Sequence, residues 1–239
     1  IDHAWGYEPC TIAQIRAYKP QSSSLGCGQV LPCPYTADKA RIVVQEMIDG
    51  ISLELVEKRL VTDQLVLTVG YDIENLTRPE IRKVYKGPVT TDRYGRRVPK
   101  HAHGTWNLSR ATSSSSELLE AMAALYDKIV NPALLIRRMS LSACHVVNEK
   151  MAKEREQKET FEQLDLFTDY AKKEAKEKEE QKKRERERRM QEALLTIKKK
   201  YGKNAVLRGM NFEEGATAKE RNGQKMCLLS CMPEKRTIG

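Results

Sequence analysis

The stretch GTWNLSRATSSSSELLEAMAALYDKIV, residues 104–130, changes its hydrophobic period half-way along. Trp106, Leu108 and Arg110 alternate with Thr105, Asn107 and Ser109, the period of two that a half-buried strand requires. From Ser114 the spacing becomes helical, with Leu118, Met122, Leu125 and Ile129 on one face. Ser114 and Glu117 have capping-box spacing, and Asn131-Pro132 stops the helix. A strand running into a one-sided helix predicts a sheet with helices on one face.

The flanking text extends the pattern in both directions. Upstream, DQLVLTVGYD (Asp63 to Asp72) is rich in Val, Leu and Thr and too short for a helix, so it reads as a strand. Before it, Thr36 is placed as an N-cap with Asp38 in the first turn. Ala40, Val44, Met47, Ile48, Ile51 and Leu55 then form a helical stripe. The Pro-bounded PQSSSLGCGQVLPCP (Pro20 to Pro34) reads as a linker that becomes a strand near Leu25 to Leu31. Downstream, in IRRMSLSACHVV (Ile136 to Val147), Met139, Leu141 and Ala143 alternate with Arg138, Ser140 and Ser142. The order is strand, helix, strand, strand, helix, strand. This predicts an α+β fold with a four-stranded sheet and two helices on one face. Residues 73–104 hold Pro79, Gly87, Pro88, Gly95, Pro99 and Gly104 among many basic residues and read as one long loop.

Net charge of +9 favours a polyanionic partner, most simply nucleic acid. The sheet face away from the helices offers one. Arg138, Ser140, Ser142, Thr105, Asn107 and Ser109 combine small donors, which let a phosphate approach, with a guanidinium charge. Ser22, Ser24 and Gly26 at the first strand, together with Arg110, Arg96, Arg97 and Lys100, complete the expected contact set. A solvated outer face is the plainer alternative. The loop's Arg93, Arg96, Arg97, Lys100 and His101 favour DNA.

The six cysteines form no C-x-x-C pair and have no nearby His, so reduced thiols in a cytosolic setting are expected and a zinc site is not. No apolar run approaches membrane-spanning length, and the N-terminus lacks a signal-peptide pattern. No P-loop, G-x-S-x-G, H-E-x-x-H or paired carboxylates on a strand occur. His101 and His103 lack a carboxylate partner and read as surface or phosphate-proximal residues.

After Asn148 the composition shifts. From Ala171 to Arg189 nearly every residue is charged, with Glu four ahead of Lys or Arg at Glu174/Lys178, Glu179/Lys183, Glu180/Arg184 and Glu185/Arg189. Such pairs support a solvated single helix. A rival function, a non-enzymatic architectural or RNA-associated protein, would work through this helix. Apolar spacing returns at Leu194, Leu195 and Ile197, and the following Gly-, Asn- and Glu-rich text predicts a mobile tail. Ahead of the charged run stands FEQLDLFTDY (Phe161 to Tyr170), whose leucines and phenylalanine require cover from the fold or from another protein.

The segment IDHAWGYEPCTIAQIRAYKPQSSSLGCGQVLPCPYT, at residues 1–36, resembles the join between thumb and little finger in Y-family DNA polymerases. The branch it is most similar to is the UmuC/ImpB-like one of Gram-positive bacteria and their mobile elements. The likeness continues to about Val147 and returns in IKKKYGKNAVLRGMNFEEGATAKERN, similar to that branch's C-terminal tail. The end, RNGQKMCLLSCMPEKRTIG, departs from the branch's Gln-Ile-Gly-Gly-His text. The resemblance implies the end of the thumb and a linker at 1–21, a DNA-binding little finger at 22–148 and a tether at 149–170. The charged helix would be 171–200 and the tail 201–239. It implies the C-terminal part of a translesion polymerase acting in damage tolerance and SOS mutagenesis. The two catalytic Mg ions belong to palm carboxylates absent from these residues, so no cofactor and no synthesis are expected here. Gln163, Leu164, Asp165, Leu166 and Phe167 are similar to the Q-L-[SD]-L-F motif that docks bacterial polymerases on the sliding clamp. Template-primer DNA and the clamp are the implied partners of a monomeric, cytoplasmic, nucleoid-associated protein.

Overall fold

A computed structural model describes residues 6, 9–18, 23–92, 94–152, 154 and 170–223, with side chains of the last helix described from residue 179. A short helix α1 (Ile12–Ala17) is followed by β1 (Leu25–Tyr35), α2 (Ala37–Lys58) and β2 (Leu60–Tyr71). Two short helices, α3 (Glu74–Thr77) and α4 (Pro79–Val84), lead into β3 (Val89–Thr91) and β4 (Arg97–Pro99). Then come β5 (Ala102–Thr112), α5 (Ser115–Ile129), β6 (Ile136–Cys144) and β7 (Val147–Asn148). A long helix, Tyr170–Tyr201, and a short turn of 3-10 helix, Gly209–Phe212, follow, and residues 218–223 are again helical.

The main sheet has the order β1-β6-β2-β5, every pair antiparallel, with β7 added beside β2. Its buried face carries Leu65, Leu67 and Val69 of β2 and Met139, Leu141 and Ala143 of β6, each at most 2% exposed. Onto it pack Ala40, Val44, Ile48 and Leu55 of α2 with Leu118, Met122 and Leu125 of α5. Burying each of the large side chains contributes about 1.5–3 kcal/mol. β5 approaches α5 closely because Gly104 has no side chain. A Cβ there would stand 2.8 Å from Ile129 Cγ2 and 2.9 Å from Leu125 Cδ1. Arg59 ends α2 in the left-handed conformation (φ 55°), its N–H returning to the carbonyls of Leu55 and Val56.

Four expectations are corrected. Residues 73–104 are not one loop: α3, α4 and the β3–β4 hairpin occupy much of the segment. The Pro and Gly that read as loop signals instead start α4 (Pro79 at its first turn) and shape the hairpin turn (Gly95, φ 79°).

The long helix is not a free solvated rod. Its second half docks on the body through polar contacts, which leave no apolar period in the sequence. The capping box read at Ser114 and Glu117 is only half formed. Ser114 Oγ accepts from Glu117 N–H at 3.3 Å, while the Glu117 carboxylate pairs with Arg110 and Arg184. The second acceptor at this helix start comes from far along the chain. Glu187 accepts from Ser116 N–H at 2.8 Å, Ser114 Oγ at 2.7 Å and Ser116 Oγ at 2.9 Å. A carboxylate there also meets the positive end of the α5 dipole. Beside it Gln191, 2% exposed, donates to Ser115 Oγ and the Ser113 carbonyl. Arg188 donates to Ser113 Oγ and pairs with Glu149 at 3.2 Å.

The tail, as far as residue 223, is placed rather than mobile. α2 presents a second stripe, Glu46, Asp49 and Ser52, spaced three apart and buried. Glu46 accepts from Asn211 Nδ2 at 2.7 Å, Thr217 N–H at 2.8 Å, Ala218 N–H at 3.0 Å and Thr217 Oγ at 3.2 Å. Burial raises the Asp49 carboxyl above its ordinary range, and Arg208, at 2.7 Å, offsets only part of that rise. Gln29 of β1 donates to Thr217 Oγ1 at 2.8 Å and accepts from Arg221. Composition alone reads this polar text as solvated, because its partners lie some 170 residues earlier.

Burial by itself would raise the Glu187 carboxyl, but Ser114 Oγ, Ser116 N–H and Ser116 Oγ outweigh it and hold the group below its ordinary range. An undocked Glu titrates near about 4.3. The docked form therefore contributes its full stability above that value and loses it as pH falls through the lower docked value. Protection of the Ser116 amide from hydrogen exchange is expected to decline below about pH 4, and Glu187→Gln to remove that decline. A wild-type profile with no acid decline would exclude the carboxylate as the clasp.

Candidate nucleic-acid interface

The register of the four long strands decides which side chains share the open face. One row across the sheet runs Gly26, Ser142, Val66, Thr105; the next runs Gly28, Ser140, Thr68, His103; a third runs Val30, Arg138, Gly70. Rows two residues apart along a strand are separated by about 7 Å. The face is therefore a shallow field of glycines and hydroxyls, with Val30, Val66 and His103 among them and one guanidinium. Thr68 Oγ1 and His103 Nδ1 stand 2.9 Å apart, and Gln64 Nε2 donates to Asn107 Oδ1 at 2.9 Å.

Arg138 is set across the neighbouring strand. A side chain at Gly70 would meet Arg138 Cγ at 2.7 Å and Nε at 3.0 Å, so the glycine makes room for the Arg138 stem over β2. No carboxylate of the described residues pairs with Arg138. Arg137 points elsewhere, pairing with Asp72 at 3.7 Å and donating to the Pro32 carbonyl at 3.1 Å. Continuing the β2–β5 register one residue past Val69↔Ala102 brings exposed His101 level with Gly70. Arg97 and Lys100, both exposed and without an ion pair among the described residues, belong to the adjoining hairpin.

Of the residues expected at the interface, Gly26, Thr105, Asn107, Arg138, Ser140 and Ser142 share this face. Ser24 is exposed just ahead of β1. Arg96 is exposed, but its guanidinium is held by Asp92 at 2.7 Å, closing the hairpin turn. Arg110 is corrected: it follows the parity of Trp106 and Leu108, and its guanidinium pairs with Glu117 of α5. The alternation in 104–130 already placed it on the helix side, so its inclusion contradicted its own pattern. Ser22, Arg93 and Gln163, Leu164, Asp165, Leu166 and Phe167 lie outside the described residues. His103, expected as a surface or phosphate-proximal residue, lies on this face. Gly28, Val66, Thr68 and Gly70 lie on it too, and the last three carry no sequence motif of their own. The alternation of Gln64, Val66, Thr68 and Gly70 with Leu65, Leu67 and Val69 carries that signal.

Among the described residues no group of three or more His, Cys, Asp or Glu side chains could hold a metal ion, and no helix is long and apolar enough to cross a membrane. Burial pushes the Cys27 thiol up to about 11, so it stays protonated at neutral pH. The open face offers hydrogen-bond donors and positive charge. That suits non-covalent contact with phosphates.

No family model matches the sequence, and no curated protein sequence matches it. Among solved structures, one described as a complex of the beta-clamp processivity factor and the little finger domain of PolIV is a weak neighbour. Its TM-score is 0.32, at 8% identity, over 61% of this chain and 100% of that one.

Proposed function

We propose that the chain is the DNA-gripping, clamp-tethered part of a Y-family translesion polymerase. On this reading the open sheet face and the basic hairpin hold template-primer DNA by its phosphates. The observation that carries it is Arg138, unpaired among the described residues and laid over Gly70 among Ser, Thr and Gly, with His101 level with Gly70 and the exposed cations Arg97 and Lys100 on the hairpin that leads into β5. Small residues let a backbone approach, and the flanking charges release counterions on contact. Binding is then salt-sensitive and indifferent to sequence. The segment Gln163 to Phe167 recruits the sliding clamp, as its resemblance to the clamp-docking motif implies. The polymerase chemistry belongs to a palm outside these residues.

Binding to a template-primer duplex, followed by anisotropy across a salt series, tests the grip. Arg138→Ala is expected to weaken binding to every sequence alike and to flatten the salt slope by about 0.9, one phosphate contact. An unchanged slope would remove Arg138, and with it the sheet face, from the interface.

A further inference from the structure

We infer that the outward face of the long helix is a second nucleic-acid surface, which grips the phosphate backbone of a duplex. The helix Tyr170–Tyr201 carries 13 Lys and Arg against 7 Glu. Where side chains are described, nearly every Glu is engaged. Glu180 pairs with Arg184 at 3.2 Å and Glu192 with Arg188 at 3.1 Å. Glu185 takes Gln181 Nε2 at 3.3 Å, and Glu187 is committed to the start of α5. Arg184 and Arg188 also reach Glu117 and Glu149 of the body. Lys182, Lys183, Arg186 and Arg189 are left with no ion pair among the described residues. The Glu179/Lys183 and Glu185/Arg189 pairs expected from spacing do not form.

Lys183 apart, these unpaired cations share one side of the helix. At about 100° per residue, Lys182, Arg186, Arg189 and Lys200 fall on one line, opposite the docked Arg184, Arg188 and Gln191. No Glu lies on that line. Lys182 to Arg189 span about 10 Å at 1.5 Å per residue, and Lys200 stands about 16 Å further along, past Ala193, Thr196 and Ile197. A B-form duplex presents one negative charge per about 1.7 Å of axis, so cations ranged along one line face a continuous anionic partner. An interfacial membrane helix would need a broad apolar face opposite its charges. Here that face is taken up by polar docking on α2 and α5. The helix docks at the end of the sheet where Thr62 pairs with Thr112, whereas Arg138 lies beside Gly70. Eight residues of strand, about 27 Å, separate the two, so each surface holds its own stretch of backbone.

The test uses the full chain and a 30-base-pair blunt duplex. A Lys182→Ala, Arg186→Ala, Arg189→Ala variant is expected to bind roughly tenfold more weakly near 0.1 M salt, with a salt slope lower by about 2.7. The charge-keeping set Lys182→Arg, Arg186→Lys, Arg189→Lys is expected to bind as the wild type does, which separates loss of charge from loss of fold. Arg138→Ala measured alongside keeps the two surfaces apart. If Arg138→Ala flattens the slope and the triple variant does not, the helix surface is overturned and the sheet face stands. The reverse result upholds the helix and removes the sheet. Vesicles of phosphatidylglycerol provide a third arm. Binding to them that the triple variant loses, with the duplex slope unchanged, would assign the stripe to a membrane and overturn the inference.

Discussion

Leu125→Ala is expected to cost about 2–5 kcal/mol of folding free energy, measured by urea denaturation. Leu125 is 1% exposed, in the middle of α5. The size of the effect follows from what stands opposite. Its Cδ1 lies 2.9 Å from the position a Cβ would occupy at Gly104, so the leucine fills space that β5 leaves empty. With Leu125 truncated, Gly104 has no side chain to move into the gap, and a cavity opens. Gly104→Ala alone is expected to destabilise by about 1–3 kcal/mol, because its methyl would press on Leu125 and Ile129. Combined, the two should interact favourably, the new methyl occupying part of the vacated volume. A coupling energy of about 0.5–3 kcal/mol is anticipated. Strict additivity would mean that Gly104 is not what brings β5 close to α5.

The second large effect concerns the proposed clamp contact. Micromolar binding of the chain to a bacterial sliding clamp is expected to fall by about a thousandfold in a Leu166→Ala, Phe167→Ala double variant. Each buried anchor of a short docking peptide is worth about 2 kcal/mol or more, and each 1.4 kcal/mol is a factor of ten. Surface plasmon resonance on immobilised clamp reads the difference directly. Equal binding by both chains would place any clamp contact elsewhere. Binding by neither would leave the DNA-gripping part of the reading without its tether.

The elements that pack by apolar periodicity were legible. The stripes of α2 and α5 and the alternation of β6 follow from where the leucines and valines fall, and the structure places them on one core. Arg138, Ser140 and Ser142 share the open face for the same reason: once Met139 and Leu141 are buried, parity sends their neighbours outward. What stayed hidden is held by hydrogen bonds. Gln191 and Glu187 sit in text with no apolar rhythm, Glu46 lies off the apolar stripe of α2, and each finds partners far away in sequence. A carboxylate that completes another helix's start looks like any solvent-facing Glu until that helix is put beside it. The hairpin of β3 and β4 was missed because its strands are three residues each, too short for alternation to register.

The order β1-β6-β2-β5 has a consequence for how the chain comes off the ribosome. β2 and β5 are near neighbours in sequence and can pair early. β6 then has to enter between β1 and β2, joining residues 25–30 to residues 138–143. Until β6 has emerged, β1 has no partner in the sheet and α2 covers only a fraction of its final surface. Closing so long a loop is slow, as folding rates fall with the sequence distance of the contacts that must form. The nascent domain thus passes through a stage with two unpaired strand edges, the state most open to capture by chaperones or by another chain. The acidic anchors Glu46 and Glu187 acquire their partners last of all, so the final C-terminal contacts latch a fold whose sheet is already complete.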